Sequence, residues 1–220
     1  MAYRMWLLII ALGIVIYIIY WFYSVIEAPM AIVYGVSVLL LGSVLVGVFF
    51  EAKWQYNEHV YAQAVKNFAG NDVKVRCQRM IDLLVDTRLD IAGDVMWDSD
   101  GTLSNQANLK FEVCKNLQKW PVTDVKKADI DIIYAVEVLS HEAVHVSGVL
   151  NEAETECYAM QHYAEVAKAL GVSQSQAEEA ALRYANEAYS HMPSKYKDEV
   201  KCSAGGAWDL HPETNSWPTE

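Results

Sequence analysis

The sequence predicts a mainly α chain of α+β class: a hairpin of two transmembrane helices, then a small helical domain carrying one β-hairpin. Three observations predict it. Two uncharged apolar runs fill most of the first 50 residues, and apolar positions recur at helical spacing between residues 131 and 192. One polar turn between short apolar segments marks the β-hairpin.

Residues 6–25, WLLIIALGIVIYIIYWFYSV, carry no charge and can cross about 30 Å of hydrocarbon as a helix. Tyr17, Tyr20, Trp21 and Tyr23 gather toward one end, as aromatic side chains do at a bilayer interface. The run is too long for a signal-peptide core, and no small-x-small cleavage site follows. A short link, Ile26 to Met30, leads to a second apolar run over 31–50. There Gly35, Gly42, Ser43 and Gly47 would allow close packing against the first helix. Residues 51–72 read as a helical linker broken at Gly70-Asn71-Asp72, and residues 73–220 as the domain.

Within the domain, Gln78 to Thr87 reads as a helix. Asp94 to Val113 reads as the β-hairpin, with Val95-Met96-Trp97 and Ala107, Leu109 and Phe111 flanking Asp98-Ser99-Asp100-Gly101. That tetrapeptide starts like a calcium loop but lacks the closing bidentate Glu, so it reads as a turn. Cys114 to Trp120 forms a short helix stopped by Pro121, and Thr123-Asp124 caps the approach to the next. Helices follow over 131–148, over 151–170 with Gly171 ending it, and from Ser173 to Met192. Ser173 and Gln176 form an S-x-x-Q capping box there, and Pro193 closes the helix. The tail is irregular, turning at Gly205-Gly206, with Trp208 and Leu210 packing back.

The 220 residues carry a formal net charge of −11. Residues 1–50 hold only Arg4 and Glu27, so the excess lies in the domain, which argues against a nucleic-acid partner. Cys77, Cys114, Cys157 and Cys202 include no C-x-x-C pair. An even number within one domain suits two disulfides and an oxidising compartment; buried free thiols are the alternative. Order along the chain pairs Cys77 with Cys114 and Cys157 with Cys202. Arg4, Lys53 and Lys66 would place both chain ends in the cytoplasm by the positive-inside rule, whereas disulfides point outward.

The chemistry concentrates in Asp131 to Gly148, DIIYAVEVLSHEAVHVSG. His141-Glu142-Ala143-Val144-His145 is an H-E-x-x-H pattern on a helix, so both imidazoles share one face a turn apart and can bind one metal ion. Glu142 beside them can accept a proton from a water the metal activates. Gly148 then ends the helix as a left-handed cap. After a turn, Asn151 caps a helix whose first turns hold Glu152, Glu154 and Glu156, where the helix dipole favours acids. A carboxylate returned to the two His residues would complete an open zinc site.

HEAVH followed by NEAETE resembles the zincin metallopeptidases, and among them the gluzincins. That resemblance implies a zincin-like fold, a zinc cofactor, Glu152 as third ligand, Glu156 as brace to His141 and Glu142 as general base. Glu154 remains a competing ligand by spacing. HEAVHVSG also opens the metzincin pattern, but Asn151 stands where that family has its third His. Residues 77–218 are further similar to small, uncharacterised actinobacterial membrane-anchored metallopeptidase-like proteins, through the E-C-Y-A helix and a C-x-x-G-G-x-x-D-L segment from Cys202 to Leu210. These implied relatives place the domain outside the cytoplasm. Zincin sites also imply a substrate strand, here the β-hairpin, and a downstream Tyr or His near the oxyanion, for which Tyr196, His191 and His211 are candidates. The function implied is hydrolysis of a peptide or protein near the bilayer. The alternatives are a membrane-tethered zinc-binding or interaction module without catalysis, and a scaffold in which HEAVH is accidental.

Overall fold

The computed structural model describes residues 2–24, 29–84, 91–97, 102–214 and 217–218. The chain divides into two units, Met1–Tyr56 and Asn57–Glu220. The first holds α1 (Ala2–Ser24) and the opening turns of α2 (Met30–Ala69). Among the described residues, one helix, Ala31–Ala69, is long and apolar enough to cross a membrane. Of the link expected over Ile26 to Met30, residues 26–28 lie outside the described residues and Met30 begins α2. Among the described residues, a Cβ at Gly35, Gly42 or Gly47 would meet nothing within 4 Å, so they do not show the expected close packing at the small residues of α2. Leu39, Leu45 and Phe49 are likewise exposed, and the Ser43 hydroxyl turns back to the Leu40 carbonyl at 2.8 Å.

The linker of residues 51–72 is not a spacer throughout. From Asn57 onward α2 belongs to the second unit and buries Tyr61, Ala62, Val65 and Ala69, positions that recur on one helical face. Buried Glu58 accepts from the Cys77 backbone N–H at 2.8 Å and from Arg79 Nη1 at 2.6 Å. Gly70, at φ +103°, then ends the helix in the left-handed region that glycine adopts without strain.

Three strands follow: β1 (Lys74–Cys77), β2 (Gly93–Trp97) and β3 (Leu103–Leu109), in the order β1-β3-β2. The predicted hairpin is β2 and β3, antiparallel, with Gly93 opposite Leu109, Trp97 opposite Leu103, and an irregularity between Val95 and Trp97. Its turn at 98–101 lies outside the described residues. Two corrections apply. β1 adds a third strand, parallel to β3, and Phe111 starts α3 (Phe111–Leu117) instead of ending a strand. The Gln78 side chain takes the Phe111 backbone N–H at 3.2 Å, which turns the chain out of the ladder. The helix predicted over 78–87 is a 3₁₀ segment, Met80–Leu84, with 85–87 outside the described residues.

The core is built on α4 (Ile130–Val146), flanked by α5 (Glu152–Ala169) and α6 (Gln174–Glu187). Ile133, Ala135, Val136, Leu139, Ala143 and Val144 bury the apolar faces of α4. Trp120 Nε1 donates to the Ala167 carbonyl at 3.0 Å and Tyr163 Oη to the Ile133 carbonyl at 2.9 Å, so both buried aromatics are satisfied while fixing α5. Asp129 caps α4, not Thr123-Asp124; Asp124 caps only a 3₁₀ turn. Pro121 likewise sits inside the 3₁₀ turn Trp120–Val122. Asn151 and the Ser173–Gln176 capping box serve α5 and α6 as predicted. α6 stops at Glu187, short of Met192, and two 3₁₀ turns, Tyr189–His191 and Ser194–Tyr196, carry the chain on.

Both disulfides form with the pairing that chain order predicts. Cys77–Cys114 joins β1 to α3, and Cys157–Cys202 joins α5 to the tail. Closing loops of 37 and 45 residues in the unfolded chain stabilises the fold by about 4 kcal/mol each on entropic grounds. Gln161 also grips the tail, donating to the Trp208 carbonyl at 2.8 Å and accepting from the Leu210 N–H at 2.7 Å.

Candidate metal centre

On α4 the His141 and His145 rings lie one turn apart, with centroids 4.8 Å from each other. Gly148 (φ +104°) breaks the helix, and Asn151 opens α5 by accepting the Glu154 N–H at 3.0 Å. This short connection brings Glu152 back to the imidazoles. Its Oε2 lies 3.2 Å from His141 Nε2 and 3.5 Å from His145 Nε2. The three ligand atoms fall within 4.8 Å of one another. Glu154, the competing residue, is outside this group and accepts from the Tyr158 hydroxyl at 3.0 Å.

The donor set suits a metal ion. His141 Nδ1 lies 2.9 Å from Glu156 Oε2 and His145 Nδ1 lies 2.7 Å from the Val149 carbonyl. With Nδ1–H donated to those acceptors, each ring keeps its Nε2 lone pair for the shared space. Three lone-pair donors so close together call for a cation between them, either a proton on one ring or a metal ion. Two imidazoles and one carboxylate are the ligand types that leave zinc a further position. Burial pushes the His141 pKa down, but Glu152 and Glu156 outweigh it and raise it well above the usual value. At His145 burial wins, and the pKa is lowered.

Behind His141 lies a buried acidic pair. Glu156 is 1 % exposed and also accepts from the Tyr184 hydroxyl, while Glu137, 1 % exposed, approaches His141 Nδ1 at 3.7 Å. Burial first, then the charge of Glu156, pushes the Glu137 carboxyl well above the usual carboxylate range. Sequence reasoning found Glu156 but missed Glu137 and Tyr184. Glu137 had a signal: an acid four residues before His141 in an apolar run. Tyr184, one aromatic on the inner face of α6, had none.

A cavity of about 500 Å³ opens over the imidazoles. Its floor is His141, Glu142, His145 and Glu152; β2 lines one part, and Met192, Lys195 and Tyr196 line another. Glu142 is 6 % exposed, and its Oε2 has no hydrogen-bond partner among the described residues. Burial raises its pKa to about 7, with His141 opposing and Asp94 and Glu152 adding. Gly93 makes this placement possible. A Cβ there would stand 2.6 Å from Glu142 Cγ and 2.7 Å from Oε1, so any side chain would displace the carboxyl. Sequence reasoning did not single out Gly93, since its need for smallness comes from a contact remote in the chain.

Of the downstream candidates, the structure brings Tyr196 to the site and leaves the others out. The Tyr196 ring centroid is 6.0 Å from that of His141. His191 is exposed beside the Ser190 hydroxyl, and His211 pairs with Glu213 at 3.6 Å; neither lines the cavity.

No family profile, curated protein or solved structure matches the chain. The gluzincin resemblance is therefore one of sequence motif, and the geometry adds a His141, His145 and Glu152 group that could hold a metal ion.

Proposed function

We propose that the chain is a membrane-anchored zinc metallopeptidase of gluzincin type that cleaves a peptide or protein near the bilayer. One observation carries it: the His141, His145 and Glu152 ligand atoms gather at the floor of a cavity into which Glu142 brings a buried carboxyl oxygen that has no hydrogen-bond partner among the described residues. A purely structural zinc site has no use for such an acid, which favours the hydrolase over a binding module.

His141, His145 and Glu152 would hold the ion, with Glu156 orienting His141. When bound, zinc supplies Lewis acidity, lowering the pKa of a water it contacts toward about 7 and polarising a carbonyl. Glu142 accepts a proton from the attacking water as its oxygen bonds the carbonyl carbon. It returns that proton to the nitrogen as the C–N bond breaks, so the amine leaves neutral. The Tyr196 hydroxyl is the nearest candidate to donate to the developing oxyanion. α1 and the apolar part of α2 would cross the bilayer as a two-pass anchor. The two disulfides favour a domain outside the cytoplasm, against the weak vote of three basic residues.

Metal analysis of the full-length protein in detergent tests the centre. Wild type should carry about one zinc per chain, and His141→Ala or His145→Ala should lose it. Unchanged zinc content in those variants ends the ligand assignment. Glu142→Gln should keep zinc and lose cleavage of a peptide library; retained cleavage removes the general base.

A further inference from the structure

Two buried carboxyls face one N–H. Glu156 Oε2 lies 2.9 Å from His141 Nδ1, and Glu137 Oε1 lies 3.7 Å from the same atom, a little outside hydrogen-bonding distance. Glu137 Oε1 has no hydrogen-bond partner among the described residues. What separates the two acids is Tyr184. Its hydroxyl donates to Glu156 Oε1, which leaves Oε2 to face the imidazole.

The choice matters because of where each acid comes from. Glu156 stands one turn after Glu152 on α5, and the two hold both nitrogens of the His141 ring, with Glu152 Oε2 3.2 Å from Nε2. The ring is thereby keyed to the helix that carries the third ligand. Glu137 lies four residues before His141 on α4, so a ring held by it would answer only to its own helix. Tyr184 itself has little freedom. It is fully buried on α6 and stacks on Tyr163 and Tyr134, with ring centroids 5.8 Å and 6.5 Å away. We propose that Tyr184 is a positioning residue: by holding Glu156 Oε1 it decides which acid braces His141, and so keeps Nε2 turned toward Glu152. Only its consequence for a metal ion rests on the metallopeptidase reading above. Without the hydroxyl, Glu156 is free to rotate and Glu137 can take the N–H.

Tyr184→Phe removes the hydroxyl and keeps the stacked ring, and Glu137→Leu removes the rival acceptor. Both are made singly and together in the full-length protein in detergent. Two quantities are read: the NMR resonance of the His141 Nδ1–H in metal-free protein, assigned by its absence from His141→Ala, and zinc affinity by chelator competition. Tyr184→Phe should move the resonance and lower zinc affinity about tenfold. Glu137→Leu alone should leave both near wild type. Added to Tyr184→Phe, it should return both toward wild type, a rescue that a merely structural hydroxyl would not produce. An unmoved resonance in Tyr184→Phe, losses that simply add, or loss of the fold in that variant overturns the assignment. If wild type binds no zinc while the resonance moves and recovers as stated, the metallopeptidase reading fails and Tyr184 still positions His141. Normal zinc binding and cleavage with an unmoved resonance would do the opposite.

Discussion

The two imidazoles are held by different means. At the inner end, His141 leans on charge: Glu156 touches it, Glu137 stands behind, and Tyr184 holds Glu156 from the far side. At the outer end, His145 leans on the backbone, through the Val149 carbonyl, with Thr155 as a supplement whose hydroxyl lies 3.3 Å from both His145 Nδ1 and that carbonyl. A buried carboxylate network loses much when one member goes, because the remaining groups stay buried without partners. A carbonyl in a short loop cannot be removed by changing a side chain. Mutation should therefore damage the two ends very unequally.

Glu156→Ala should have the largest effect, stripping an acceptor from both His141 and Tyr184. We expect about 3–5 kcal/mol of lost stability and zinc affinity lowered about 10- to 100-fold, read by thermal melting and chelator competition. A variant with wild-type melting and affinity would break the contrast. Gly93→Ala addresses the strand wall and neither end. Cleavage should fall about 100-fold while zinc content stays at wild type, since only the Glu142 carboxyl is displaced. Loss of zinc along with activity would mean that the wall supports the ligands as well.

Smaller effects are expected elsewhere. Thr155→Val at the outer end should cost less than about 1 kcal/mol and leave zinc affinity near wild type, because the Val149 carbonyl still holds the ring. A loss matching that of Glu156→Ala would erase the difference between the ends. Glu137→Gln should be the mildest change. Burial, with the charge of Glu156 adding to it, pushes that carboxyl well above the usual carboxylate range, so an uncharged amide of the same shape is the smaller change. Marked loss of zinc affinity in chelator competition would show that Glu137 works as an anion.

What could be read from the sequence was governed by short-range rules. The i, i+4 spacing of His141 and His145, the Asn151 cap and the Gly148 break are all local, and they position Glu152 without reference to the rest of the chain. The walls were not legible, because each depends on a distant partner. Gly93 answers to Glu142, Phe111 to Gln78, and β1, four residues long, pairs with β3 across the intervening chain. The inner face of the linker helix was visible as Tyr61, Ala62, Val65 and Ala69, but the apolar run before it directed attention to the bilayer. Tyr196 could be named only as one of several candidates, since no periodicity says which residue of an irregular tail turns inward.

The connection between α4 and α5 works as a ruler. Residues 147–151 set how far the second helix is displaced from the first, and one of them, Val149, also clamps the second imidazole in its working orientation. Jaw width and ring angle are thus written into the same few peptide units. Inserting or deleting a single residue there would spoil both at once, even with every ligand side chain still in place.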